Sequence, residues 1–243
     1  MNLYIIRHAE PDYSCDSLTE KGWREAALLA PRLAKIPDAQ IYVSPLGRAQ
    51  ATASLLLEKT QAQAQTLGWL REFDQGYRLA GDVQPVGIGW DLLPQTWAEE
   101  PQYYDPEGWR EAPVYRDTGV GEAYDRVIAG LDALLAAHGY VRDGHVYRVE
   151  RPNCENILLF CHFGLESVLL SRLLDCSPVV LWHHTVALPS SVTVLSTEER
   201  RRGTAVFRMS RFGDLSHRDA AGEAPSFSAR FCERHGDGTR EEF

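Results

Sequence analysis

Residues 3–6 form an apolar run with no polar position inside it, the pattern of a strand covered on both faces. The run stops at Arg7-His8. Open α/β sheets bind their ligands at the carboxyl edge of the strands, so this pair predicts a site where a central strand meets its loop. Ser17-Leu-Thr-Glu20 has the form of a capping box, and Trp23, Ala26, Ala27, Ala30 and Leu33 follow at helical spacing. Residues 40–44 read as a second strand. Pro45 and Gly47 then turn the chain into a helix from 48 to 59, and residues 65–70 read as a third strand ending in Arg71-Glu72.

From 78 to 121 the periodicity disappears. Pro and Gly are frequent, and Trp90, Trp97, Tyr103, Tyr104, Trp109 and Tyr115 crowd the segment, which predicts an inserted lid folded over the sheet. Regular spacing returns at 122–138, with Tyr124, Val127, Ile128, Leu131, Leu134 and Leu135 on one helical face. Residues 156–161 are the most apolar strand candidate and end at His162. Residues 164–174 read as a helix, and 191–196 with 204–210 as paired late strands joined by a basic turn at 198–203. Strands alternating with helices predict an α/β fold: a three-layer α/β/α sandwich with a mostly parallel central sheet. The expected organisation is one domain over 1–212 with the 78–121 insertion, then a polar tail, 213–243, that wraps the surface or is disordered.

Charge narrows the partners. A net charge of −9 argues against a nucleic-acid backbone or an anionic membrane, but not against a small anion, because a pocket's local field can oppose the net charge. The five cysteines (Cys15, Cys154, Cys161, Cys176, Cys232) are odd in number and scattered, with no CxxC pair, which fits a reducing compartment better than a disulfide framework or a zinc site. The residues before the first strand are too few for a signal peptide, and nothing approaches the roughly 20 apolar residues of a membrane span. The expectation is a cytoplasmic protein, its oligomeric state left open.

Four segments at strand ends carry candidate chemistry: Arg7-His8, Ser44-Pro-Leu-Gly-Arg48-Ala, Glu72, and His162-Phe-Gly. In a parallel sheet they share one edge, bringing together two arginines, two histidines and a carboxyl. That set suits in-line phosphoryl transfer to an enzyme nucleophile. Arginine forks bind the equatorial oxygens, a neutral imidazole attacks phosphorus, and a carboxylic acid protonates the departing alkoxide.

These motifs, in this order through about residue 75 and again from 155 to 197, resemble the histidine phosphatase superfamily, also called the phosphoglycerate mutase-like family. The resemblance implies a phosphomonoesterase acting on a small phosphate ester, with no metal and no cofactor. By position it implies that His8 is phosphorylated and then hydrolysed, and that Arg7, Arg48 and His162 bind the phosphoryl group. Glu72 stands at the place of the family's Leu-x-Glu acid, which protonates the leaving group.

The chain also departs from the family pattern. Ala9 replaces the usual glycine of Arg-His-Gly, and Phe163 stands where a small residue is frequent. The true mutases carry an Asn soon after the second histidine, a Trp-Asn after the first motif and an adjacent basic pair in the insertion. Here those places hold Phe163-Gly164, Pro11-Asp12-Tyr13 and only the isolated Arg110 and Arg116. This favours hydrolysis; a mutase-type transferase and a non-catalytic phosphate-binding module are the alternatives. Asp74, Asp82 and Glu122 compete with Glu72 as proton donor. His183-His184, taken as strand residues, would point to opposite faces and read as structural. The acids of the insertion (Asp82, Asp91, Glu99, Glu100, Asp105, Glu107, Glu111, Asp117) predict a lid that disfavours polyphosphates and prefers a monophosphate with a neutral or aromatic leaving group.

Overall fold

The computed structural model describes residues 1–226 and 228. Its first elements are β1 (Asn2–Arg7), β2 (Pro11–Asp12), β3 (Ser17–Leu18), α1 (Glu20–Leu33), β4 (Ala39–Val43), α2 (Gly47–Thr60), β5 (Ala64–Thr66) and α3 (Pro94–Trp97). Then come α4 (Val120–Ala137), β6 (Tyr140–Asp143), β7 (Val146–Val149), β8 (Asn156–Cys161), α5 (Phe163–Leu174), α6 (Pro178–His184), β9 (Val192–Arg201), β10 (Thr204–Asp214) and α7 (Ser216–Asp219).

Eight strands form one mixed sheet in the order β5-β4-β8-β1-β9-β10-β7-β6. The first four are parallel; β9, β10, β7 and β6 continue it antiparallel. Side-chain alternation in the central strands explains the three layers. Leu3, Ile5, Ile157, Leu159 and Cys161 face a core shared with α4, α5, α6 and the aromatic residues of 78–121. Ile6, Leu158 and Phe160 face the opposite core, built with α1 and α2. Each such side chain removed from water contributes about 1.5–3 kcal/mol, and a one-residue slip of β1 would exchange its two faces.

Several elements differ from their sequence expectation. The third strand is only Ala64–Thr66; Gly68–Leu70 is a 3-10 turn that lifts Arg71-Glu72 off the sheet. The supposed basic turn is strand as far as Arg201, and the reversal waits for Gly203, whose φ is +92°. His183 and His184 close a helix instead of lying on a strand, because Ser177 caps its N-terminus and Pro178 fits its first turn. The β6–β7 hairpin was not anticipated; its two-residue loop begins with Gly144 at φ +58°. Trp109, Tyr103 and Tyr115 of the insertion are buried in the main core, with Trp109 packed edge-on to Trp182 at 5.6 Å.

The described part of the tail wraps back onto α1. Arg218 of α7, fully buried, forms an ion pair at 3.1 Å with the equally buried Glu25 of α1. The other oxygen of Glu25 accepts the backbone N–H of Glu10, two residues beyond His8, at 2.8 Å. The rest of the tail, Cys232 included, lies outside the described residues. Removing one member of a buried pair strands the other, so Arg218→Met should cost about 3–5 kcal/mol, read as a lower urea midpoint. The Glu25→Leu/Arg218→Met double variant should recover most of that loss.

Candidate active site

The carboxyl ends of β1, β8 and β4 are adjacent in the sheet, so His8, His162 and Ser44 emerge side by side. Backbone bonds continue the ladder past the strands: His8 donates to the Cys161 carbonyl at 3.0 Å, and Ser44 to that of Phe160 at 2.9 Å. The His8 and His162 rings lie 5.0 Å apart between centroids.

His8 is buried, and its Nδ1 lies 2.7 Å from the carbonyl of Ala9. A carbonyl only accepts, so Nδ1 carries the proton and Nε2 keeps its lone pair. Burial, and next the charge of Arg7, hold the pKa of His8 well below the usual imidazole value. The Nε–H of Arg48 points at Nε2 from 3.4 Å, consistent with that tautomer. The result is a neutral imidazole with an available nucleophilic nitrogen.

Arg48, near the start of α2, is fixed by Asp16, whose carboxylate pairs with one amino group at 2.6 Å. The other oxygen of Asp16 caps the helix by accepting Gly47 N–H at 2.7 Å. Gly47 is obligatory, since a Cβ there would come within 2.1 Å of the Asp16 carbonyl. Burial raises the pKa of Asp16, but the Gly47 bond and Arg48 outweigh it and hold the group below its ordinary value. Tyr13 stacks under the guanidinium at 5.4 Å.

His162 sits at the N-terminus of α5, its Nε2 2.7 Å from Ser44 Oγ, which also accepts Leu46 N–H. Burial, followed by His8 and the nearby arginines, keeps it neutral. Its Nδ1 is buried with no partner among the described residues, and so is Nε of Arg7. The two amino groups of Arg7 donate to the carbonyls of Ala187 and Ser228. Two unsatisfied buried nitrogens beside a nucleophilic imidazole make a cradle suited to an anion.

Glu72 reaches the same place from the loop after the 3-10 turn. Its Oε1 accepts Phe73 N–H at 2.8 Å and Leu165 N–H, in the first turn of α5, at 3.0 Å. Burial raises its pKa, against the pull of those two N–H groups and of Arg7 and Arg48. Trp90 closes over it, with Nε1 bonded to the Phe73 carbonyl at 2.7 Å. Glu72 and Trp90 approach the helix so closely because residue 164 has no side chain: a Cβ there would meet Trp90 Nε1 at 2.3 Å and Glu72 Oε1 at 2.9 Å.

Above these residues opens a cavity of about 600 Å³ lined by Arg7, Arg48, Arg71, Glu72 and Asp74, with Tyr13, Asp16, Leu46, Ile88 and Trp90. His8 and His162 are buried and do not line it; His8 reaches Arg48, which does. All five residues expected from the sequence therefore converge. Of the competing acids, Asp74 reaches the cavity wall, Asp82 bonds its own loop at Leu79 N–H, and Glu122 lines a separate surface depression. None of the eight insertion acids lines the cavity; the insertion contributes Ile88 and Trp90, so the anticipated acidic lid is an apolar wall. His183 is structural, accepting Leu92 N–H at 3.1 Å and packing against Trp97. Sequence reasoning missed Asp16, a lone loop acid without any local signal. It also missed Glu166, detectable only as the single acid in an otherwise apolar helix turn.

The model of the histidine phosphatase superfamily (branch 1) matches residues 3–209. The chain belongs to this family. Among curated relatives of this histidine phosphatase, the adenosylcobalamin/alpha-ribazole phosphatase of Salmonella typhimurium is 26% identical over 204 residues, 76% of this chain and 86% of the relative. A probable phosphoglycerate mutase of an Enterobacter strain is 24% identical over 151 residues, 57% of this chain and 70% of the relative. Among solved structures, a mutant phosphoserine phosphatase of Entamoeba histolytica in complex with phosphoserine superposes with a TM-score of 0.59 at 18% identity, over 89% of this chain and 98% of that one. A mycobacterial glucosyl-3-phosphoglycerate phosphatase in complex with VO3 gives 0.55 at 21%, over 87% and 98%. At these identities the structural likeness speaks for the fold.

The packing at Gly164 is directly testable. Gly164→Ala should displace Glu72 or Trp90 and lower kcat on an alkyl monophosphate by about 100-fold, the scale expected for an ångström of misplacement. Gly68→Ala, where a Cβ would meet nothing within 4 Å, should leave kcat unchanged.

Proposed function

We propose that this histidine phosphatase hydrolyses small phosphate monoesters in two steps through a phosphohistidine at His8. The observation that carries this reading is the pair of buried nitrogens without a partner among the described residues, Arg7 Nε and His162 Nδ1, together with the lone pair of His8 Nε2. Nε2 attacks phosphorus as the ester P–O bond breaks, and Glu72 passes its proton to the departing oxygen. The Glu72 carboxylate then takes a proton from water as the water oxygen attacks phosphorus and the P–N bond breaks. That returns neutral His8, protonated Glu72 and inorganic phosphate. Arg7, Arg48 and His162 hold the phosphoryl oxygens through both transfers. No step needs a metal.

Hydrolysis is favoured over mutase transfer by the walls of the cavity. Among the described residues, the only cation on them beyond Arg7 and Arg48 is Arg71, 3.8 Å from Asp74, while Leu46, Ile88, Trp90 and Tyr13 supply apolar and aromatic surface. Holding a second phosphate while an intermediate turns round calls for more positive charge than this. The substrate is accordingly a monophosphate of a largely uncharged, partly apolar alcohol, and segment 78–121 is the wall that selects it. A cytoplasmic location is part of the same proposal, supported by the unbridged Cys15, Cys154, Cys161 and Cys176; separately, among the described residues no helix is long and apolar enough to cross a membrane.

Incubation with a ³²P-labelled substrate should give an acid-labile protein adduct that is absent in His8→Ala; an adduct surviving that change would remove the basis of the proposal. The pH profile follows from two shifts. His8 must be neutral, so the acidic limb of kcat/KM falls only below its depressed pKa. Glu72 must be protonated, so activity is lost as pH rises through its elevated pKa, which puts the optimum on the acid side. Glu72→Gln should cost about 10²–10⁴ in kcat on alkyl phosphates. On p-nitrophenyl phosphate, whose leaving group needs no proton, kcat/KM should fall far less, while kcat should still drop because hydrolysis of the phosphohistidine needs the Glu72 base.

A further inference from the structure

His8 owes its tautomer to one carbonyl, that of Ala9, and the amide carrying this carbonyl is gripped from its other side. The carbonyl of Ala9 and the N–H of Glu10 belong to the same planar peptide unit. His8 Nδ1–H donates to the first at 2.7 Å, and the second donates to Oε2 of Glu25 on α1 at 2.8 Å. Glu25 is fully buried, and its helix is shaped for this reach. Gly22, one turn earlier on the same face of α1, has no side chain; a Cβ there would come within 2.2 Å of the Glu10 carbonyl. The helix therefore packs directly on the Ala9-Glu10 backbone. Thr52 of α2 accepts the N–H of Ala9 at 3.0 Å, so both amides flanking Ala9 are held. Oε1 of Glu25 faces Arg218 of α7, which also donates to the Pro189 carbonyl at 3.2 Å. The next residue, Ser190, donates its N–H to the carbonyl of His8 at 3.0 Å. An ion pair that merely tied α7 to α1 would leave Oε2 of Glu25 free. Here that oxygen is committed to the one amide whose carbonyl orients the nucleophile.

We propose that Glu25 is a positioning residue for the nucleophile: through the Ala9-Glu10 amide it aims the carbonyl that keeps the His8 proton on Nδ1 and the lone pair of Nε2 directed at phosphorus. The phosphatase reading is presupposed. Glu25 forms no covalent bond and passes no proton. It acts in two ways. Its carboxylate fixes the plane of the amide, and with it the direction of the Ala9 carbonyl. Accepting the N–H also polarises the amide, which makes that carbonyl a stronger acceptor for Nδ1–H. Without the anchor the amide tilts, the Nδ1–H bond lengthens, and the ring samples the tautomer that cannot attack. Arg7, Arg48 and His162 are fixed by other partners, so the loss falls on attack by His8 and leaves phosphate binding intact.

The test uses the full-length Glu25→Leu/Arg218→Met variant, in which both buried charges are removed together. p-Nitrophenyl phosphate isolates attack by His8, because its leaving group needs no proton. Its kcat/KM should fall about 10–100-fold, the range met when outer hydrogen-bond partners of metal-ligating histidines are removed. The Kd for tungstate, a phosphate mimic that cannot be transferred, should stay at the wild-type value. Glu25→Gln/Arg218→Met, which returns an acceptor oxygen to the Glu10 N–H, should recover most of the lost kcat/KM. In ¹⁵N spectra the His8 ring is assigned by its absence from His8→Ala. It should be the Nδ1–H tautomer in the wild type and in Glu25→Gln/Arg218→Met, and a mixture in Glu25→Leu/Arg218→Met. Wild-type kcat/KM in Glu25→Leu/Arg218→Met overturns the inference, as does an equal deficit in both double variants or a ring spectrum that ignores the changes. A matching loss of tungstate affinity does so too, since it marks a general disturbance of the site. Should Glu25→Leu/Arg218→Met not fold, Glu25→Asp keeps both charges and withdraws the carboxylate by one methylene. It must lower kcat/KM likewise, and an unchanged value is equally fatal. A wild type that hydrolyses no phosphomonoester counts against the phosphatase reading instead, and the ring spectra, which need no turnover, still decide the role of Glu25.

Discussion

Arg7 keeps a positive charge where water hardly reaches, and the site takes its character from that. Desolvating a cation costs several kcal/mol, a cost met here by backbone carbonyls, by nearby carboxyls and, in turnover, by the phosphoryl group. The same charge, together with burial, keeps His8 neutral, so the nucleophile is available well below the pH at which an exposed imidazole would be protonated. Burial also lifts the pKa of Glu72, and that of Glu166 to about 7, which favours their protonated forms in the same dry region. Acid, nucleophile and anion cradle are consequences of one dry, positively charged pocket floor.

That floor exists because β8 lies between β1 and β4. The parallel register pairs Arg7 with Cys161 and Val43 with Phe160, so His8 and His162 leave the sheet at the same level, with Ser44 one residue short of it. The adjacent helices then supply polar backbone: α5 presents Leu165 N–H to Glu72, and α2 presents Gly47 N–H to Asp16. The tail reinforces the arrangement from behind. Arg218 holds Glu25, which holds Glu10, and Glu10 lies two residues from the nucleophile.

The sheet centre and the motif residues were legible because both rest on local patterns. Unbroken apolar runs mark strands buried on two faces, and Arg7-His8, the Ser-Pro-Leu-Gly-Arg48 segment and His162 each follow one. The hairpin at 140–149 was hidden because its strands are short and half-polar, although Asp143-Gly144 is a turn signal. The helix carrying His183 and His184 was misread as strand because Ser177-Pro178 caps only seven residues. Asp16 and Glu166 were illegible for a deeper reason: each meets a partner distant in sequence, Arg48 or Thr193, and carries no mark of that contact nearby.

The acids of the insertion teach the complementary lesson. Eight carboxyls in one segment suggested a field that would repel polyanions, but a field depends on where charges point. The structure turns only Ile88 and Trp90 of that segment toward the cavity. Selectivity must then come from contact. A neutral, partly apolar leaving group gains by covering Ile88, Trp90 and Tyr13, whereas a second phosphate meets apolar surface and, in Arg71, a cation already near Asp74. A charged group desolvated against such a wall without a partner is penalised more than Coulomb attraction to Arg7 and Arg48 at longer range returns. The proposed discrimination against bisphosphates therefore rests on the scarcity of cations among the described residues of the cavity and on its apolar surface, not on the acids of the insertion.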